Sequence, residues 1–506
     1  MFIIVAGNMI RKETLKIMVF LFTLILTTGC EQNKPHFEPK EYDDLSGHTV
    51  CVLEGSIQQD YAMAHLKNRG IDFVIYGNAT DCMLALNTGK ADVFFGASLY
   101  AYNENFHRQH LTTSVLLDDI DAPFAFGVKK GNTLLLNDLN TFQDSISKVG
   151  LMRQIIDRWF DEKNTDFHSC VKIEPTTGKP SGKGRVLRVG ISGVKPPTEV
   201  LIDNKWTGCE IEILQRYAAS RGIQLDIQVF DFGNLIPAIQ SGKIDVTAST
   251  LAINDERKAK IDFCNTYASV KASFIIPDPK YHNDTSFLSG IKESVRHSVI
   301  VEKRWKLLLG GLWITILISV MSLILGSVLG GGLCWMTMND RRWIRGIGKT
   351  YLYVVRNIPM LVLLMIMFYV VLANTGLPTV VVAIIAFGMN SAAYISEIYR
   401  TGIQSVDVGQ REAAQAMGFS RIQTFFWFVA PIAIHKALPV YKNEAVSLLK
   451  GTSVVGYISI IDLTKASDLI RSASFEALIP LVVISVAYFL LAFIMTSLID
   501  MLAKRV

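Results

Sequence analysis

No charged residue occurs between Leu307 and Met338, and none between Asn357 and Ser396. A helix that crosses a bilayer needs about 20 predominantly apolar residues, so the second run is long enough for two crossings. The helix-breaking stretch Asn374-Thr375-Gly376-Leu377-Pro378 divides it, and a third uncharged run covers Ala477 to Ile499. Residues 306–506 therefore read as an all-α polytopic membrane domain. Five spans are expected, near 307–336, 351–373, 379–399, 443–461 and 477–499. The fourth is the weakest, being short and carrying Glu444 and Lys450.

Residues 31–305 look different: short apolar runs alternate with polar turns, as in a soluble α/β domain. The chain of 506 residues is thus multidomain, with more than one core. Fifty basic and 45 acidic residues give a net charge of +5, too balanced to argue for nucleic acid. Nine scattered histidines and seven cysteines without a CxxC imply neither a metal site nor a cofactor. Pairing among Cys51, Cys82, Cys170, Cys209 and Cys264 is left open. There is no nucleophile elbow and no motif of paired carboxylates, so no enzyme is expected. Without a Gly-x-x-x-x-Gly-Lys-Ser/Thr loop the chain cannot hydrolyse ATP itself.

Arg11, Lys12 and Lys16 precede a ten-residue apolar core, Ile17 to Leu26, followed by Thr27-Thr28-Gly29-Cys30. Basic flank, short apolar core and small residues mark a secretory signal peptide over 1–30, with Met9 as the better start. It resembles a bacterial lipoprotein signal, which implies lipidation of Cys30; Thr27 departs from the usual leucine three before the cysteine. The alternative is an uncleaved anchor with Cys30 inert. Polar, proline-bearing residues 31–44 read as a tether.

Charge sets the orientation. Lys and Arg number four in 339–350, six in 397–450 and two after Asp500. Residues 374–378 have none, and 462–476 have two against three acids. Basic loops favour the cytoplasmic side. That puts the C-terminus inside and the N-terminal domain outside, as the signal peptide independently requires. The expected location is the bacterial cytoplasmic (inner) membrane, with a periplasmic N-terminal domain.

Within 397–450, Glu412-Ala413-Ala414, then Gly418 and Pro431, resemble the EAA loop (near 409–431) of ABC-transporter permeases. Asn390-Ser391-Ala392-Ala393-Tyr394, Arg356-Asn357-Ile358-Pro359 and Ser447-Leu448-Leu449-Lys450-Gly451-Thr452-Ser453 resemble its polar amino-acid (histidine and glutamine) branch. The resemblance implies that Glu412, Ala413, Ala414 and Gly418 dock a separate ATP-binding subunit. It also implies that a second permease domain, a copy or a sibling, completes the pathway.

Residues 186–277 read as strand, helix, strand, helix, strand, and resemble lobe one of amino-acid-type solute-binding proteins. The carrying motifs are LRVGISGVKPP, GCEIEIL, LIPAIQSGKIDV and INDERKAKIDFCNTY. The resemblance implies that Arg257 clamps a substrate carboxylate, for which a guanidinium fork is well matched. Thr250 and Pro197 are further pocket candidates. Earlier in the chain LSGHTVCVLEGS, LNTGKADV, FAFGVKKGN and IDRW make residues 45–165 resemble lobe two of the same family and its return segment, which implies Ser56 and Asp92 near the cleft. A loop-forming linker (166–185) joins the two pieces, and a bridge (278–305) leads to the membrane.

The order, lobe two before lobe one, reads as a circular permutation; two decayed half-domains are the competing reading. Permutation predicts a single covalent hinge, near Ala122 to Val128. The pocket departs from the family: Thr198 replaces an aromatic, Ala97 stands where an aspartate usually meets the α-amine, and Ala252 and Asn254 replace hydroxyl residues. Together these imply an importer of amino acids or small carboxylates. A ligand-gated channel or sensor is the alternative, for which an ATPase-docking loop has no use.

Overall fold

The computed structural model describes residues 37–102, 110–161, 166–278, 292, 294–373, 375–474, 476 and 478–503. The signal segment with Cys30, and most of the bridge, lie outside the described residues.

The soluble part holds two α/β lobes. In the lobe-two sheet, β1 (Thr49–Leu53), β2 (Asp72–Tyr76) and β3 (Val93–Ala97) run parallel. They continue into β12 (Ala268–Pro277) and β4 (Leu111–Phe124), in the order β2-β1-β3-β12-β4. Val50, Cys51 and Val52 are fully buried, as expected for a central parallel strand covered on both faces. The lobe-one sheet has the order β11-β5-β10-β6-β9. Its strands are β5 (Gly127–Lys129), β6 (Val186–Ile191), β9 (Gln224–Val229), β10 (Val246–Thr247) and β11 (Ile261–Phe263). A small hairpin, β7 (Val200–Ile202) and β8 (Lys205–Thr207), sits beside it.

Two expectations fail here. Residues 268–277 do not belong to lobe one: β12 pairs antiparallel with β3 and β4 of the other sheet. The chain therefore crosses between lobes twice, from Phe124 to Gly127 and from Phe263 to Ala268, and the single-hinge expectation is overturned. A run such as Ala-Ser-Phe-Ile-Ile announces a buried strand without naming its partner.

Short helices flank both sheets. In lobe two, α1 (Ile57–Tyr61) is capped by Ser56, whose hydroxyl accepts from the Gln59 N–H, and α2 (Ala79–Asn87) is capped by Asn78. The return helices α3 (Thr133–Lys148) and α4 (Leu151–Trp159) dock on α5 (Cys209–Arg221) of lobe one. There the Glu212 carboxylate accepts from Arg158 at 2.5 Å, Trp159 at 2.8 Å and Arg216 at 2.8 Å. Helix α6 (Asp255–Lys260) is capped by Asn254, which accepts from the Arg257 N–H.

The remainder is helical: α7 (Trp305–Met338), α8 (Arg342–Asn357), α9 (Met360–Ile366), α10 (Thr379–Gln404), α11 (Val408–Ala416), α12 (Ala430–Gly451), α13 (Leu463–Ser474) and α14 (Leu478–Ala503). Small residues let α7 and α10 approach closely: a Cβ on Gly326 would meet Ser391 at 2.9 Å.

Among the described residues four helical runs are long and apolar enough to cross a membrane: Trp305–Met338, Thr379–Gln404, Arg421–Ile458 and Leu478–Met501. The second expected span, 351–373, is not straight. Arg342–Asn357 and Met360–Val371 meet at 107°. Pro359 causes this by excluding Ile358 from helical geometry, leaving it at φ −92° and ψ 125°. The expected fourth span, 443–461, is the end of a helical run that begins at Arg421; Lys436 and Lys442 hid its first half.

Candidate functional site

Arg257 projects from α6 into the seam between the lobes and is 7% exposed. Its Nη1 donates to the Ala252 carbonyl at 2.6 Å, while Nη2 donates across the seam to the carbonyl of Gly55 in lobe two. Asn254 likewise reaches Asp60 of lobe two at 3.3 Å. The lobes are thus closed on one another. Between them remains a cavity of about 50 Å³ lined by Ser56, Ala97, Tyr100, Lys195, Thr250 and Arg257, among others.

Lys195 was not anticipated. It donates to the Ser249 carbonyl and the Thr250 hydroxyl, both at 3.1 Å, and lies 4.8 Å from the centroid of the Phe232 ring. The Arg257 guanidinium approaches the same ring at 5.6 Å. Behind Lys195 lie the fully buried Glu199 and Glu210. Burial pushes both carboxyls up and pulls the Lys195 ammonium down, their mutual attraction opposing the shifts. Glu210 also accepts from the Thr250 N–H at 2.8 Å and from the Tyr267 hydroxyl, which helps hold Thr250 at φ +48°.

Three candidates, Arg257, Ser56 and Thr250, therefore converge on one cavity. Asp92 does not: it precedes β3, accepting from the Thr49 N–H at 2.9 Å with His48 3.6 Å away. Ala97, at the other end of that strand, lines the cavity, about 16 Å further along an extended chain. Pro197 is buried behind the cleft, its carbonyl accepting from the Cys209 N–H at 3.0 Å. The six described cysteines, Cys51, Cys82, Cys170, Cys209, Cys264 and Cys334, are all buried free thiols.

The small cavity adjoins a larger one of about 580 Å³, and Leu53, Tyr100, Lys195 and Phe232 line both. Both lobes wall the larger space. The helical domain floors it with Ser453, Tyr457, Lys465, Asp468 and Arg471. Helix α13 is tied to both lobes: Lys465 donates to Asp231 at 2.7 Å, and Arg471 pairs with Asp81. Nothing in the charge count of 462–476 singled out these two cations.

On the helical domain, Asp407 caps α11 by accepting from the Gly409 N–H at 2.7 Å. The chain reverses through Gly418 at φ +89°, a backbone conformation that favours glycine. Glu412, Ala413 and Gly418 are exposed, beside Val408, Met417 and Ile422 at 63%, 72% and 71%. Ala414 is not part of that surface. It is 1% exposed and faces the rest of its own chain.

A two-lobed α/β domain thus sits closed against a helical domain that carries four candidate membrane spans. Residues 322–506 match the family described as "Binding-protein-dependent transport system inner membrane component". The nopaline transport system permease protein of Agrobacterium fabrum is 35% identical over 201 residues, which are 38% of this chain and 83% of that protein. The chain belongs to this family of inner-membrane transport components. Among solved structures, an amino acid ABC transporter is 29% identical at a TM-score of 0.37, covering 44% of this chain and 99% of that one. An arginine-bound ArgBP from T. maritima is 14% identical at a TM-score of 0.25, covering 49% and 95%. At these scores the assignment rests on the sequence relatives.

Proposed function

We propose that this chain is the permease subunit of an ABC importer for amino acids or related small carboxylates, with its own extracytoplasmic binding domain. One observation carries the reading: the cavity holding Arg257 adjoins, through Lys195 and Phe232, a vestibule floored by the permease helices. A ligand released there is already at the mouth of the pathway. The substrate class is taken from the sequence relatives, the nopaline transport system permease protein among them.

In this reading Arg257 grips the ligand carboxylate, and Ser56 and Thr250 offer hydroxyls. The exposed Glu412, Ala413 and Gly418 surface receives a separate ATP-binding subunit, and a second permease domain completes the pathway. The binding domain, its lobes in permuted order, faces the periplasm; the α11 loop and the C-terminus face the cytoplasm. Cys30 anchors the N-terminus through lipid. Proteoliposomes holding the chain and its ATPase should take up substrate only with ATP. ATP-independent flux would favour a channel instead.

A further inference from the structure

The cleft's charge narrows the ligand, on the premise that the cleft binds one at all. Two cationic side chains, Arg257 and Lys195, line the small cavity, and among the described residues that line it there is no carboxylate. Asp60, the acid nearest Arg257 in charge, is turned to Asn254 and does not line the cavity. Where a lobe-two acid would meet an ammonium group, the cavity wall is Ala97.

Donor capacity points the same way. An ammonium carries three N–H donors, and Lys195 spends two of them on Ser249 and Thr250. A guanidinium carries five, of which Arg257 uses one on Ala252 and one on Gly55. Tyr100 and Ser56 add hydroxyls to the wall. Glu199 and Glu210, the acids behind Lys195, do not line the cavity. An α-amine entering this space meets two cations and no acidic partner, a desolvated like-charge encounter that opposes binding.

We infer that the cleft takes a small dianion without an α-amine, a short dicarboxylate or its equivalent, with one acidic group on Arg257 and the other on Lys195. The small closed volume, about 50 Å³, favours a short spacer between the two acids.

The test is calorimetry on the full chain in lipid nanodiscs, with malonate and succinate against propionate, glycine, glutamine and aspartate. Malonate or succinate should bind at least about tenfold tighter than the rest. Lys195→Met should weaken the dicarboxylate about tenfold and propionate far less. Ala97→Asp, which leaves the buried Lys195 cluster intact, should weaken the dicarboxylate and improve glycine or glutamine. If an amino acid binds best, with an affinity lost in Arg257→Ala but unchanged in Lys195→Met, the dianion inference is overturned and the carboxylate clamp stands. If nothing in the panel binds, both fall.

Discussion

Lys465 of α13 donates to Asp231 of lobe one at 2.7 Å, its side chain only 10% exposed. Along the same helix, Arg471 pairs with Asp81 of lobe two. One short helix of the membrane domain therefore contacts both lobes, through a different ion pair for each. Opening the cleft must separate Asp231 from Asp81, so both pairs can be satisfied together only over a narrow range of lobe positions.

Breaking either pair should uncouple the domains without emptying the cleft. A partly buried charged hydrogen bond contributes about 1.5–3 kcal/mol. Asp231→Ala and Lys465→Ala should each lower ATP-driven uptake at least about fivefold, and the double variant should be little worse than either alone. Ligand affinity measured by calorimetry should be unchanged. Strictly additive losses would show that the two residues act separately.

Gly418 makes a second test. Its φ of +89° is open to asparagine at modest cost, whereas no atom lies within 4 Å of where a Cβ would project. Gly418→Asn should therefore retain most uptake, while Gly418→Trp should abolish uptake and co-purification with the ATPase but leave ligand binding intact. Persistent uptake in Gly418→Trp would remove α11 from the coupling surface.

The return segment should be acid-labile through Glu212. Burial alone would raise this carboxyl, but its bonds from Arg158, Trp159 and Arg216 outweigh that and hold it below the usual range. A depressed folded-state value contributes stability that is complete above the unfolded pKa, about 4.3, and is lost as pH falls through the folded value. Glu212→Gln should destabilise the soluble domain by about 2 kcal/mol at pH 7. The gap from wild type should close below about pH 4, as read by melting temperature across pH. A gap constant down to pH 2 would rule the charge out.

Assembly can be weighed directly. If a second permease domain completes the pathway, as proposed, native mass measurement of the complex with its ATPase should find two permease domains for two ATPase subunits. A single permease domain per ATPase pair would contradict the arrangement.

The membrane domain was legible because a bilayer excludes charge: the uncharged runs around Leu307, Asn357 and Ala477 marked helices before any fold was known. Where charge enters a span the signal fails. Lys436 and Lys442 concealed half of the run from Arg421, and a hydropathy window is blind to the bend that Pro359 imposes. In the soluble part, strand patterns located β6, β9 and β10, whereas β12 passed as the tail of lobe one, because an apolar run does not name the sheet that will accept it. Arg257 was visible through its motif, whereas Lys195 escaped notice beside the more conspicuous Pro196-Pro197. Only the fold turns that ammonium toward the cavity. The charges of α13 likewise acquire meaning only from Asp231 and Asp81, which are remote in sequence.

The central claim is that the Arg257 cleft supplies the ligand that the permease carries. Its most direct test is ATP-driven uptake of labelled succinate, glutamine and histidine into proteoliposomes containing this chain and its ATPase, in wild type and Arg257→Ala. The account predicts uptake of at least one of the three and a loss of about 10- to 150-fold in Arg257→Ala at subsaturating substrate. Uptake unchanged by Arg257→Ala would contradict it.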